Sequence, residues 1–167
     1  MKKLSSIILG FLIIGTMSSF AQEKKKSPAV EIGGKIGKSE ITINYSSPSV
    51  RDREVYGGLE PWGKVWRAGA NEATTIEFST DVTINGKELA KGKYAFFVTP
   101  MESGAWSLIF NTVSKQWGAY KYDKSKDALV VEAKPSKIDH TEALTYTIKG
   151  NTISLDWATT RVSFEVK

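Results

Sequence analysis

An all-β fold, an antiparallel sandwich or jelly roll of about nine or ten strands, is what this 167-residue sequence predicts, with a closed β-barrel as the alternative. Three observations predict it. Apolar and polar residues alternate with period two along most of the chain, which places successive side chains on opposite faces of a strand. Residues that favour tight turns separate these stretches. No segment of length carries a convincing helical period. Short strands spaced roughly 8–12 residues apart point to a sandwich or a jelly roll.

The elements follow in order. Lys2 and Lys3 precede an apolar stretch from Leu4 to Met17, and Ser19-Phe20-Ala21 ends it, so residues 1–21 read as a secretory signal peptide. The stretch falls short of the ~20 apolar residues of a comfortable membrane helix. The chain contains no cysteine, which excludes a lipobox. The expectation is an exported protein, periplasmic or secreted, not lipid-anchored and without a membrane span once the signal is removed. Residues 22–27 read as a flexible tail, and 28–167 as one all-β domain with no internal repeat.

Within that domain Ile41, Ile43 and Tyr45 alternate with Glu40, Thr42 and Asn44. Asn85-Gly86 joins Val82-Thr83-Ile84 to Lys87-Glu88-Leu89, a strong hairpin signal because both turn residues accept positive φ. Tyr94–Val98 is apolar at every position and reads as a central strand. Glu102-Ser103-Gly104 leads into Trp106, Leu108 and Phe110, and a charged turn at 123–127 precedes a strand over 129–133. Lys149-Gly150-Asn151 joins the run of Leu144, Tyr146 and Ile148 to that of Ile153, Leu155 and Trp157. Val162, Phe164 and Val166 form the last strand.

Composition narrows the function classes. With 41% hydrophobic and 25% charged residues the chain is of ordinary globular type. The net charge of +5 resides largely in the leader and tail, because residues 27–167 carry 18 basic and 17 acidic residues. A nucleic-acid face needs a basic surplus on the folded part, so nucleic acid is excluded as a partner. Without cysteine there are no disulfides, thiol nucleophiles or thiolate metal sites. The single histidine, His140, sits in Ile138-Asp139-His140-Thr141-Glu142, which reads as the turn entering a strand. One histidine cannot make a multi-histidine zinc site, and no metal or other cofactor is implied. Asp123-Lys124-Ser125-Lys126-Asp127 resembles the start of a calcium loop, but Ala128 and Lys134 occupy the places of its glycine and bidentate glutamate. Asn44-Tyr45-Ser46 matches a glycosylation acceptor but falls within a strand.

One segment does not fit the strand pattern. About 27 residues from Ser46 to Glu72 form a connection of a length that is usually functional or disordered. Val55, Tyr56, Leu59, Trp62, Val65 and Trp66 are residues that pack, so the segment reads as an ordered lid, with a turn of helix around 61–66. It concentrates Arg51, Arg53 and Arg67, three of the four arginines of the chain. Arginine presents a planar fork suited to carboxylates, phosphates and sulfates. Trp66 offers a flat face for a sugar or cation, and Glu54, Asn71 and Glu72 add acceptors and an amide. Two readings stand: a polar ligand pocket, or an internal scaffold in which the arginines pair with Asp52, Glu54 and Glu72. A second unusual loop over 115–123 carries Gln116, Trp117 and Tyr120, which complete a pocket wall if the two loops adjoin.

Residues 51–74, from Arg-x-Arg-x-Val-Tyr-Gly-Gly-Leu through Pro-Trp-Gly-Lys-Val-Trp-Arg to Gly-Ala-Asn-Glu-Ala-Thr, resemble the signature of a bacterial domain-of-unknown-function family, number 2911. Gly92-Lys93-Tyr94-Ala95-Phe96-Phe97 and Gln116-Trp117-Gly118-Ala119-Tyr120 resemble its later blocks, so the likeness covers nearly all of 30–167. It implies an exported, β-rich domain and brings neither an activity nor catalytic residues. The leading expectation is a non-catalytic envelope binding module that takes an anionic or sugar ligand through loop 46–72. The alternatives are a small carboxylate-dependent hydrolase, using Glu54 with Glu72 or either with Asp123, and a structural or protein-interaction module of the envelope.

Overall fold

Ten strands account for nearly all regular structure in the computed structural model, which describes residues 26–167. The expected signal peptide (1–21) and most of the expected tail (22–27) lie outside the described residues. Six strands form one antiparallel sheet in the order β1 (Ala29–Ile36), β2 (Ser39–Ser46), β3 (Thr75–Phe78), β6 (Gly92–Thr99), β7 (Trp106–Asn111), β8 (Asp127–Ala133). A long hairpin of β9 (Ser136–Lys149) and β10 (Thr152–Glu165) packs across it, and β4 (Val82–Ile84) pairs with β5 (Lys87–Leu89) in a small hairpin. Bridges extend the long hairpin at both edges, Ser49 against Ala143 and Ile84 against Val166. The result is a sandwich of two layers, not a closed barrel.

The alternation read from the sequence sets which face is buried. Ile41, Ile43 and Tyr45 of β2, Trp106, Leu108 and Phe110 of β7, and Ile153, Leu155 and Trp157 of β10 all enter one core. Burying such side chains contributes about 1.5–3 kcal/mol each. Asn85 (φ 48°) and Gly86 (φ 81°) form the foreseen turn.

Three expectations are corrected. The runs 153–157 and 162–166 belong to one strand, β10, whose register shifts around Ala158, a residue at φ 53°. A bulge there lets one strand bend across the sheet instead of ending. His140 lies within β9 rather than in a turn, where its imidazole sits 3.2 Å from the Glu142 carboxylate. Residues 61–66 form turns, not a helical turn; the one short 3-10 turn among the described residues spans 124–126, with the Asp123 carboxylate accepting from the Ser125 N–H.

β6 is apolar on both faces because both are covered. Tyr94, Phe96 and Val98 face the sandwich core. Ala95 and Phe97 face the other way and join Ala73 and Ile109 in a second cluster, roofed by Val65, Ala119 and Tyr122. The roof comes from the two irregular segments, so both are parts of the packed structure. The Phe97 and Tyr122 rings meet at 5.2 Å between centroids.

Candidate functional site

Where β3 stops, the long loop takes over its place beside β6. The Trp66 N–H donates to the Val98 carbonyl (2.8 Å), Val98 donates back to Trp66 (2.9 Å), and Phe96 donates to the Thr74 carbonyl (2.7 Å). From within, the Tyr146 hydroxyl (2.8 Å) and the Thr74 hydroxyl (2.9 Å) both donate to the carbonyl of Ala68. The indole N–H of Trp66 donates to Gly69 (3.1 Å). Gly69 must be glycine, since a Cβ there would sit 2.7 Å from the Thr74 hydroxyl and 3.1 Å from the Ser46 carbonyl. At the other end of the loop, the Arg51 N–H donates to the Glu142 carboxylate (3.0 Å), which holds that carboxyl below its usual range.

Four non-glycine residues of this loop stand at positive φ: Arg51 (51°), Asp52 (54°), Ala68 (50°) and Asn71 (60°). Each such residue costs about 1–2 kcal/mol unless a short polar side chain relieves it. Strain of this kind persists where surrounding contacts over-determine it, and it clusters at ligand sites.

Two of the four, Arg51 and Asn71, line a cavity of about 280 Å³, to which Arg53, Arg67, Glu60 and Trp157 also contribute, together with Lys26. The expected arginine cluster is therefore assembled, but not as an ion-paired scaffold. Among the described residues none of the three guanidinium groups lies within 4.0 Å of a carboxylate, whereas that of the fourth arginine, Arg161, makes a two-pronged pair with Asp156 at 2.7 and 2.6 Å. Arg51 donates to the Lys26 carbonyl (2.8 Å) and Arg53 to those of Val50 (2.9 Å) and Ser49 (2.7 Å). Among the described residues Arg67 has no side-chain hydrogen-bond partner, and its Nε is buried without one; so is the indole Nε1 of Trp157. Buried donors left in this state cost roughly 1–3 kcal/mol each.

Among the described residues Glu60 is the single carboxylate lining this cavity. Burial pushes its carboxyl up from 4.5 to about 7, a rise that the nearby Arg67 and Arg53 guanidinium groups oppose but do not cancel. The same burial, with Glu60 and Asp156 nearby, raises the Tyr56 hydroxyl well above its ordinary value. The sequence reading missed Glu60. Its available signal was an acid set between Leu59 and Pro61-Trp62, but Leu59 and Trp62, expected to pack, are themselves exposed, so the local sequence did not mark Glu60 as the partly buried one.

The remaining expected residues divide. Glu72 bridges to Trp117, Gly118 donates to the Asn71 carbonyl (3.0 Å) and Ala73 donates to that of Gln116 (3.0 Å), so the two loops do adjoin. Glu72, Gln116, Trp117 and Tyr120 line a second concavity of about 490 Å³, where Trp117 is 62% and Tyr120 83% exposed. The Gln116 amide donates to the Val113 carbonyl (2.7 Å) while its oxygen is buried and unpartnered. Trp66 offers no face to a ligand, because it is buried against Trp157 with ring centroids 5.6 Å apart. Glu54 is exposed and lines neither cavity. A concavity of about 650 Å³ over β1–β3, with Glu31, Asn44, Thr75 and Lys93 in its wall, contains none of the four buried polar atoms that lack partners. Among the described residues no helix is long and apolar enough to cross a membrane, and no group of three His, Cys, Asp or Glu is placed to hold a metal.

The unpaired state of Arg67 has a measurable consequence. Replacing a charged residue that brings no partner and lies among other cations removes repulsion and a desolvation cost. Arg67→Gln is expected to leave stability unchanged or raised in urea melts at pH 5.5, where Glu60 is protonated. Arg53→Gln, which frees two backbone carbonyls, is expected to cost about 1–2 kcal/mol. A loss above about 2 kcal/mol for Arg67→Gln would make that arginine a brace.

A family model described as Protein of unknown function (DUF2911) matches residues 27–166. No curated protein and no solved structure matches the chain.

Proposed function

Since the chain belongs to the DUF2911 family, whose description assigns no activity, we propose from the site's geometry that it is an exported, non-catalytic binding module of the cell envelope. It holds an anionic or sugar ligand at loop 46–72. The observation that carries this reading is the cavity on which three arginines converge without a carboxylate partner, with Arg67 Nε and Trp157 Nε1 buried beside it as free donors. A ligand oxygen anion satisfies such donors, and a guanidinium fork favours carboxylate or phosphate geometry. A volume of about 280 Å³ suits a group no larger than one acidic sugar. Export rests on the basic and apolar pattern of residues 1–21.

The hydrolase alternative needs two carboxylates facing one bond. Glu60 alone lines the arginine cavity, and Glu72 belongs to the neighbouring concavity, so binding is the better supported reading. Thermal melts with millimolar galacturonate, citrate and phosphate test it. A ligand at a hundred times its Kd stabilises by about 2.7 kcal/mol. At least one anion is expected to raise the melting temperature, and Arg67→Gln to abolish the rise. The ion-paired Arg161, which does not line the cavity, serves as the control: Arg161→Gln leaves the rise intact. Unchanged melting across all three anions defeats the proposal.

A further inference from the structure

One side chain of the arginine cavity reaches toward the loop that carries the aromatic concavity. Arg67 lines the first, where its Nε is buried and unpartnered. Its terminal nitrogen extends to the second loop: a Cβ placed on Gly118 would lie 3.4 Å from Arg67 Nη1 and 3.0 Å from the ring of Tyr120. One point in space is thus flanked by the guanidinium of one cavity and the aromatic wall of the other. Gly118, at φ 63°, leaves that point open, and any other residue there would be strained as well as crowded. Asn71 and Glu72, consecutive along the chain and therefore about 3.8 Å apart at Cα, each line one of the two concavities.

The chemistry changes across this boundary. On one side stand cations with free donors. On the other, Trp117 and Tyr120 expose flat rings, with the carboxylate of Glu72 beside them. Aromatic side chains this exposed, held in place by a backbone bridge from Glu72 to Trp117, present an apolar face with polar edges. That combination fits the C–H face and hydroxyl rim of a neutral or weakly charged sugar ring.

We propose that the ligand is an acidic oligosaccharide bound across both concavities: the carboxylate of one uronic acid unit enters the arginine cavity, and the adjoining sugar unit lies on Trp117 and Tyr120. This rests on the anion-binding reading above and adds a second subsite and a minimum length to it. Arg67 is the shared group, facing the carboxylate through one nitrogen and the junction between units through another.

The test is calorimetric titration of the purified protein with galacturonate and glucuronate as monomers, with linear trimers in which one such unit is joined to two neutral sugar units, and with the corresponding neutral trimers. One acidic trimer is expected to bind at least tenfold more tightly than its monomer and than its neutral counterpart. Trp117→Ala and Tyr120→Ala, both at exposed positions that leave the fold intact, are each expected to bring the trimer to within a few-fold of the monomer. Neither changes binding of the monomer. Equal affinity for monomer and trimer, or trimer binding indifferent to both aromatic variants, overturns the two-subsite inference while the anion cavity stands. A neutral trimer binding as well as the acidic one overturns the acidic class. No binding of any uronate overturns the inference. The anion cavity falls with it only if citrate and phosphate also fail.

Discussion

Trp66→Ala is expected to destabilise the protein by about 3–5 kcal/mol, the range for removing a large aromatic from a packed core. The residue is 2% exposed. Its ring stacks on Trp157 at 5.6 Å and 19° and meets the edge of Tyr56 at 6.0 Å. Truncation removes these contacts together, opens a void beneath the loop and takes away the donor to the Gly69 carbonyl. For a chain of this length each kcal/mol corresponds to roughly 2–4 °C in melting temperature, so thermal or urea melts read the effect directly. Trp62→Ala, on a partly exposed ring of the same loop, is the comparison and is expected to cost much less. A Trp66→Ala protein within about 1 kcal/mol of the parent would show that the loop does not share the core.

The second large effect is dependent on pH and belongs to Glu60. Its carboxyl titrates at 4.5 when unfolded and at about 7 when folded, chiefly through burial. Between those values the folded state binds more protons than the unfolded state, so stability falls as pH rises. The contribution is fully present below pH 4.5 and is lost as pH passes through about 7. At 1.36 kcal/mol per pH unit the loss approaches about 3 kcal/mol. Glu60→Gln retains the shape and carries no charge to bury. The variant is expected to match the parent near pH 4 and to exceed its stability increasingly above pH 5, levelling off above pH 7. A difference independent of pH would place Glu60 in a solvated setting. The same linkage makes the arginine cavity more cationic at mildly acidic pH, because the one acid facing it is then neutral.

The sandwich was legible because a strand with one buried face writes its burial into every second residue. Leu144 and Tyr146, like Phe164 and Val166, needed only their own neighbours in sequence to be placed. The all-apolar stretch of β6 also announced that both of its faces were covered, without indicating by what. The loop was legible in composition alone. Its residues have no period, so nothing local distinguished Trp66, which packs inward, from Trp117, which does not. The adjacency of the two loops depends on contacts between residues 71 and 118 and between 72 and 117, and no local pattern encodes a pairing of that range. The arginines carried their chemistry openly. That they donate to carbonyls or to nothing, instead of pairing with Asp52, Glu54 and Glu72, depends on backbone turns at positive φ that the residue types do not dictate.

The second apolar cluster, with Ala95, Phe97 and Ile109 beneath Val65, Ala119 and Tyr122, sets limits on how such a site can diversify. Antibody-like recognition varies because its loops stand clear of their framework and tolerate exchange. Here the loop stems are the roof of a sheet, so transplanting or re-lengthening either segment strips the outer face of β6 and β7. Variation is confined to side chains that project from the roof, such as Trp117, Tyr120 and Lys121. New specificities on this scaffold are therefore reached by point substitution at a fixed backbone, in small chemical steps, and wholesale loop replacement costs the fold.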